Sequence, residues 1–154
     1  MKLVVAIDFS ELTGQIIAEA EKLAKALNAK VFLLHVMPSP SPIIDVPPDV
    51  EALLPPEEVF KKESLPAPFD IPESSKLISI AKQLQESGID TAVIAVQNDE
   101  VSAIINESKK IGADYIMLGS HGHGALFHLI VGSVSEGVVR RATCPVIIVP
   151  LVKH

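Results

Sequence analysis

Residues 115–135 contain a strand, two glycine-rich pieces and the start of a helix, and they read YIMLGSHGHGALFHLIVGSVS. The run Tyr115–Leu118 is apolar without alternation, which is typical of a strand buried on both faces. The pieces Gly119–Gly124 and Gly132–Ser135 flank the apolar segment Leu126–Val131. Glycine lets backbone N–H groups approach an anion closely, and a helix N-terminus adds unpaired N–H groups and a positive dipole. The stretch therefore contains the parts of a phosphate cradle.

Four further apolar runs predict the remaining strands, and helical patterns separate them. The runs are Leu3–Ile7, Lys30–Val36, Thr91–Val96 and Val146–Val149. Ser10 precedes the first helical pattern and Asn98 or Asp99 precedes another, while Gly88 and Gly112 stand where C-terminal caps belong. Strands that alternate with helices require right-handed crossovers. The sequence therefore predicts an α/β fold with one mostly parallel sheet and helices on both faces.

Composition favours one globular domain over residues 1–154, because apolar residues make up 48% of the chain and mean hydropathy is +0.38. Disordered chains are more polar than this. The formal net charge of -6 has the wrong sign for a protein that wraps nucleic acid or binds anionic lipid, so we expect neither partner.

A cytoplasmic location is the expectation from three features of the chain. Leu3–Ile7 is too short for a signal peptide, and no apolar run approaches the roughly eighteen residues of a membrane span. The single cysteine, Cys144, cannot form an internal disulfide, which fits a reducing compartment.

A proline-rich insert occupies about residues 38–72, where ten of the twelve prolines lie. No regular sheet strand fits this composition, although Pro56–Lys62 is compatible with one or two helical turns. Two interpretations stay open: a surface insertion without function, or a segment that covers a ligand or contacts a second subunit.

Other phosphate and nucleophile motifs do not fit. Neither glycine-rich piece has the Lys and Ser/Thr of a Walker A loop, and the first strand leads into Asp8 rather than a dinucleotide fingerprint. A hydrolase elbow needs glycine where Leu118 stands. For Ser133 and Ser135, two interpretations remain: helix capping or hydrogen bonds to phosphate.

Three histidines and one aspartate are further candidates for a site. His121, His123 and His128 are close together, but they lack the spacing of a zinc site, so we expect no metal centre. Asp8 lacks the acidic neighbours and lysine of a response-regulator receiver. It is expected either to cap the first helix with Glu11 or to contact a ligand.

The assembled pattern resembles the universal stress protein family, specifically its ATP-binding branch, along nearly the whole chain. The motif Gly-x2-Gly-x9-Gly-Ser is met by Gly119, Gly122, Gly132 and Ser133. Further similarities are the first strand running into residues 6–11, the second strand ending Leu34-His35-Val36, and the C-terminal Cys144–Val149. The resemblance implies an open five-stranded parallel sheet of order 3-2-1-4-5, similar to the adenine nucleotide alpha hydrolases.

The same resemblance implies an ATP site where the strand order reverses, beyond Asp8 and Gly119. Ala6 and the backbone of Val36 would contact adenine, Asp8 the adenosine moiety, and the glycine motif the ribose and phosphates. The implied binding residues are Ala6, Asp8, Val36, Gly119, Ser120, His121, Gly122, Gly132, Ser133, Val134 and Ser135. Gln97 stands where the family commonly has Gly-x-Pro, which puts the pocket's shape in question.

The expected function is adenine-nucleotide binding in a stress-response or signalling module, with a divalent cation such as Mg²⁺ bridging the phosphates. The motif region has no Walker lysine and no arginine finger, so hydrolysis is expected to be slow. The alternatives are a nucleotide hydrolase or adenylyl transferase that uses the same crevice, and a dimeric scaffold that binds no nucleotide. We also expect a homodimer through Val146–Val149 and an unidentified signalling partner.

Overall fold

Five strands and four helices alternate in the described part of the chain, residues 1–37, 72–120 and 132–150 of a computed structural model. They are β1 (Lys2–Ile7), α1 (Thr13–Leu27), β2 (Lys30–Met37), α2 (Pro72–Glu86), β3 (Thr91–Gln97), α3 (Glu100–Ile111), β4 (Tyr115–Gly119), α4 (Ser133–Arg141) and β5 (Val146–Val149). Every predicted strand is present, with its ends within one residue of the prediction. Residues 38–71, including Pro56–Lys62, lie outside the described residues.

The strands form one parallel sheet of order β3-β2-β1-β4-β5, which confirms the predicted fold class and strand order. Ile7 pairs with His35 across β1 and β2, and Gly119 pairs with Val149 across β4 and β5. Because all strands are parallel, their carboxyl ends meet at one edge. The order reverses between β1 and β4, which is where open α/β sheets bind ligands.

Both faces of the sheet are buried, because alternate residues of each strand point to opposite helix layers. Helices α1 and α2 pack on the face of β1 that carries Leu3, Val5 and Ile7. Helices α3 and α4 pack on the face that carries Val4, with Ala6 partly buried beside it. The non-alternating apolar runs of the sequence arise from this double burial.

The ends of α2 and α3 follow the predicted capping signals. Asp99 is the N-cap of α3, and its carboxylate accepts the backbone N–H of Ser102 at 2.9 Å. That N–H group holds the pKa of Asp99 below its usual range. Gly88 and Gly112 follow α2 and α3 with φ of 84° and 66°, the left-handed region in which glycine ends helices.

Helix α1 begins differently from the prediction that Asp8 and Glu11 cap it. Its N-cap is Leu12, which makes no side-chain cap hydrogen bond. Asp8 Oδ1 instead accepts the backbone N–H of Ser10 at 3.0 Å, within the loop after β1. Asp8 is therefore not the N-cap of α1, because that position belongs to Leu12, and Asp8 Oδ1 accepts from the loop before the helix.

Within residues 1–37, 72–120 and 132–150, no helix has the length and apolar character needed to cross a membrane.

Candidate functional site

The end of β4 and the start of α4 lie side by side at the carboxyl edge of the sheet, which brings Gly119 and Ser120 next to Gly132 and Ser135. The backbone N–H of Gly132 donates to the carbonyl oxygen of Ser120 at 2.6 Å. The buried Ser135 hydroxyl donates to the carbonyl oxygen of Gly119, also at 2.6 Å. Ser120 N donates in turn to Val149 O at 2.8 Å. These three bonds fix the start of α4 beside the ends of β4 and β5.

The first turn of α4 begins at the second glycine-rich piece. Gly132 is the N-cap, with an extended backbone and no side-chain cap, so neither Ser133 nor Ser135 serves as the N-cap. First-turn N–H groups have no partners within a helix. Ser133 is exposed at this end, whereas Val134 packs partly into the core. Backbone donors and the Ser133 hydroxyl are therefore available here to an anionic group.

Across the reversal point, the end of β1 supplies Asp8, and the end of β2 supplies Val36. The side chains of Ala6 and Val36 belong to the same apolar cluster on the α3 and α4 face. The Val36 side chain is buried in this cluster, and the expected backbone contact of Val36 with adenine stays a prediction.

The loop after β1 has an uncommon backbone. Phe9 has φ of 58°, in the left-handed region that non-glycine residues rarely adopt. Among the described residues, the hydroxyl oxygens of Ser10 and Thr13 are buried without a hydrogen-bond partner. A loop with these features is held by its surroundings rather than by local preference.

His35 is a buried polar residue that the sequence reasoning did not single out as a site residue. Its Nδ1 lies 2.9 Å from Ile7 O, and its Nε2 lies 3.1 Å from Glu73 Oε2 at the start of α2. The His35 ring also packs against Phe9, with 4.7 Å between ring centroids. One signal was available: His35 is the single polar residue between Val31 and Met37.

A comparison with protein-family models matches residues 1–150 to the universal stress protein family. The chain belongs to the universal stress protein family. Among curated relatives, the universal stress protein YxiE of Bacillus subtilis is 31% identical over 159 residues, covering 96% of this chain and 97% of the relative. The universal stress protein MJ0577 of Methanocaldococcus jannaschii is 31% identical over 156 residues, covering 96% and 93%.

Solved structures share the universal stress protein fold. The MJ0577 structure has a TM-score of 0.69 at 24% identity and covers 99% of this chain and 97% of its own. An Archaeoglobus fulgidus universal stress protein in complex with dAMP has a TM-score of 0.64 at 18% identity, covering 96% of each chain. A universal stress protein in complex with cAMP has a TM-score of 0.62 at 21% identity, covering 97% and 95%.

Not every residue of the universal stress protein motif can be placed. His121 and Gly122 lie outside the described residues, as do His123 and His128, so their predicted roles are not tested. The described residues contain no group of three or more His, Cys, Asp or Glu side chains arranged for a metal ion. Gln97 is exposed at the end of β3, and its effect on the pocket stays a prediction.

Proposed function

We propose that this universal stress protein binds an adenine nucleotide, ATP in the first place, beyond the carboxyl ends of β1 and β4. The nucleotide-bound state would serve a stress-response or signalling module in the cytoplasm, read by a partner protein that the chain does not identify. Family membership supports the stress-response assignment. The dAMP and cAMP complexes of related folds support an adenine nucleotide as the ligand class.

The hydrogen bond from Gly132 N to Ser120 O carries the proposal, because it holds the first turn of α4 against the end of β4. Phosphate groups placed there would accept the first-turn N–H groups and the Ser133 hydroxyl. Gly119 keeps the adjoining backbone open to a close approach. Ser135 then has a positioning role, since its hydroxyl already donates to Gly119 O.

The adenosine end of the ligand would lie on the other side of the reversal point. Asp8 stands there with a carboxylate, which accepts hydrogen bonds from donors such as ribose hydroxyls. Val36 would offer main-chain groups to the adenine, and Ala6 would leave room for it. Main-chain polar groups beside a small apolar side chain are suited to binding a flat purine base.

The charges at the proposed site favour slow or absent hydrolysis of the nucleotide. The described residues assigned to the site include Asp8 but no lysine or arginine, so a divalent cation such as Mg²⁺ would balance the phosphates. Backbone donors hold ground-state phosphates, but they neither orient a water molecule nor supply added charge to the transition state. We therefore propose a binding protein rather than a fast enzyme.

We also propose a homodimer formed through β5. This strand is at the edge of the sheet, paired with β4 on one side only among the described strands. Its four residues are all apolar, and Pro145 and Pro150 bound it. An apolar edge strand with unpaired backbone groups is suited to pairing with its copy.

Calorimetry of the pure protein with ATP and Mg²⁺ tests the binding proposal, after denaturing extraction to identify copurified nucleotide. We expect saturable binding of one nucleotide per chain. A protein that neither copurifies with nor binds an adenine nucleotide would contradict the proposal and favour the scaffold alternative. Phosphate release above about one turnover per second, the low end of ordinary enzymes, would favour the hydrolase alternative.

A further inference from the structure

His35 joins three elements at the edge where the proposed site lies. From β2, its Nδ1 reaches Ile7 O at the end of β1, and its Nε2 reaches Glu73 Oε2 on α2. Its ring packs on Phe9 in the loop after β1. His35 is only 6% exposed, so these contacts replace water around a polar ring.

The hydrogen bonds of His35 connect β2 to two other elements. Ile7 O is a carbonyl oxygen and can only accept, so Nδ1 carries a hydrogen and donates it. Nε2 lies 3.1 Å from Glu73 Oε2, and the Glu73 side chain is about half exposed, at 47%, while His35 is buried. The contact therefore joins the buried ring to the surface start of α2.

Phe9 connects His35 to the residue proposed to contact adenosine. Its left-handed backbone is costly for a non-glycine residue and needs support from its neighbours. The His35 ring gives that support on one side, and Lys76 Nζ of α2 lies 5.8 Å from the Phe9 ring centroid. Asp8 directly precedes Phe9, so the conformation of this loop sets the position of the Asp8 backbone.

We propose that His35 is a positioning residue for the nucleotide site. Through its contacts with Ile7 and Phe9 it holds the loop after β1, which contains Asp8. Its contact with Glu73 makes the affinity for nucleotide depend on the start of α2. The inference rests on the proposed function. Removing the Glu73 contact therefore loosens the loop and weakens ATP binding.

Calorimetry of ATP binding to variants of the Glu73 contact tests the proposal. Glu73→Ala removes the side chain that faces Nε2, whereas Glu73→Gln retains groups that donate to or accept from the ring nitrogen. Glu86→Ala, the same change at the far end of α2, is the matched control.

The expected result is that Glu73→Ala binds ATP about three- to tenfold more weakly, the range of one lost ordinary hydrogen bond, while Glu86→Ala binds as the wild type. Glu73→Gln should recover part of the lost affinity. Wild-type affinity in Glu73→Ala would overturn the proposal.

A second measurement separates this proposal from the proposed function. In nucleotide-free protein, the Phe9 amide signal in NMR spectra should shift in Glu73→Ala and not in Glu86→Ala. An unshifted Phe9 signal in Glu73→Ala contradicts the positioning role of His35. A wild type that binds no ATP contradicts the proposed function instead, so the two failures are told apart.

Discussion

The Ser135 hydroxyl donates to the Gly119 carbonyl oxygen over 2.6 Å, across a sequence separation of 16 residues. Ser135 is 3% exposed, so Gly119 O has little access to replacement water on that side. Together with the bond from Gly132 N to Ser120 O, this contact sets the first turn of α4 beside β4. A serine that resembles a phosphate ligand in sequence thus holds the geometry of the cradle.

Replacing Ser135 by Ala should lower the free energy of unfolding by about 1–2 kcal/mol, because a buried acceptor loses its donor. Urea unfolding measures the difference. Ser135→Thr retains the hydroxyl and serves as the control, with a smaller loss expected. Equal stability of Ser135→Ala and the wild type would show that the contact contributes nothing.

Gly132→Val should abolish ATP binding in a protein that still folds. The backbone of Gly132, with φ of -74° and ψ of 165°, is a conformation that any residue adopts, so valine does not strain the chain, and we expect its side chain to fill the proposed cradle. Calorimetry measures the loss. Gly14→Val is the control, because a Cβ at Gly14 meets no atom within 4 Å. Undiminished affinity in folded Gly132→Val would refute the cradle.

Gly137→Ala should destabilise the protein although alanine favours helices. A Cβ at Gly137 would lie 2.8 Å from Val101 Cγ2 and 3.2 Å from Cγ1, and a β-branched side chain has little freedom to move. Overpacking costs about 1–3 kcal/mol, which exceeds the gain of about 1 kcal/mol in helix propensity.

The matched test of this clash is a double-mutant cycle with Val101→Ala, which makes room for the new methyl group. Gly137→Ala should be less harmful in the Val101→Ala background than in the wild type. Additive effects of the two changes would contradict close packing between α3 and α4 at this point.

Asp99 should make the stability of the protein pH-dependent. Its pKa is lowered in the folded state by the Ser102 N–H, so the unfolded state binds the proton more tightly. The cap therefore stabilises fully above the unfolded pKa of Asp, near 4, and is lost as the pH falls through the lower folded value.

Asp99→Ala should cost about 1 kcal/mol at neutral pH, the usual loss of an N-cap. Asn is as good an N-cap as Asp but does not titrate. Asp99→Asn should therefore keep the wild-type free energy of unfolding at neutral pH and lose less of it than the wild type on acidification. Urea unfolding at several acidic pH values makes the comparison. Identical acid profiles of the wild type and Asp99→Asn would contradict the prediction.

Ile148→Pro should convert the proposed dimer into a monomer. Pro145 O and Val149 O accept N–H groups from β4, so by alternation the backbone groups of Ile148 face the free edge. Proline there removes an outward donor and is tolerated on an edge strand.

Sedimentation at micromolar concentration measures the change, and Ile148→Val, which retains the N–H group, should remain a dimer. An aspartate at this position would be a poor test, because the Ile148 side chain packs against the core cluster under α3 and α4. A wild-type protein that sediments as a monomer would remove the dimer proposal.

The strands and the helix caps were predictable from sequence, because both depend on residues that are close together in the chain. The five strands were predictable because residues buried on both faces must be apolar throughout, as Val146–Val149 illustrates. Asp99 and Gly112 were predictable because a cap bonds within its own helix turn. The order of the strands was predicted from the resemblance to a family, since the sequence of an apolar strand does not show which strand pairs with it.

Only the tertiary structure decided the contacts that hold the candidate site. The Ser135 hydroxyl contacts Gly119 O, 16 residues away in sequence, and Asp8 Oδ1 contacts the Ser10 N–H of the loop after β1. His35 meets Ile7 and Glu73 across 28 and 38 residues of sequence. The residue type determines which hydrogen bonds a side chain can make. Its actual partner depends on which strand ends and helix starts lie next to it in the folded protein.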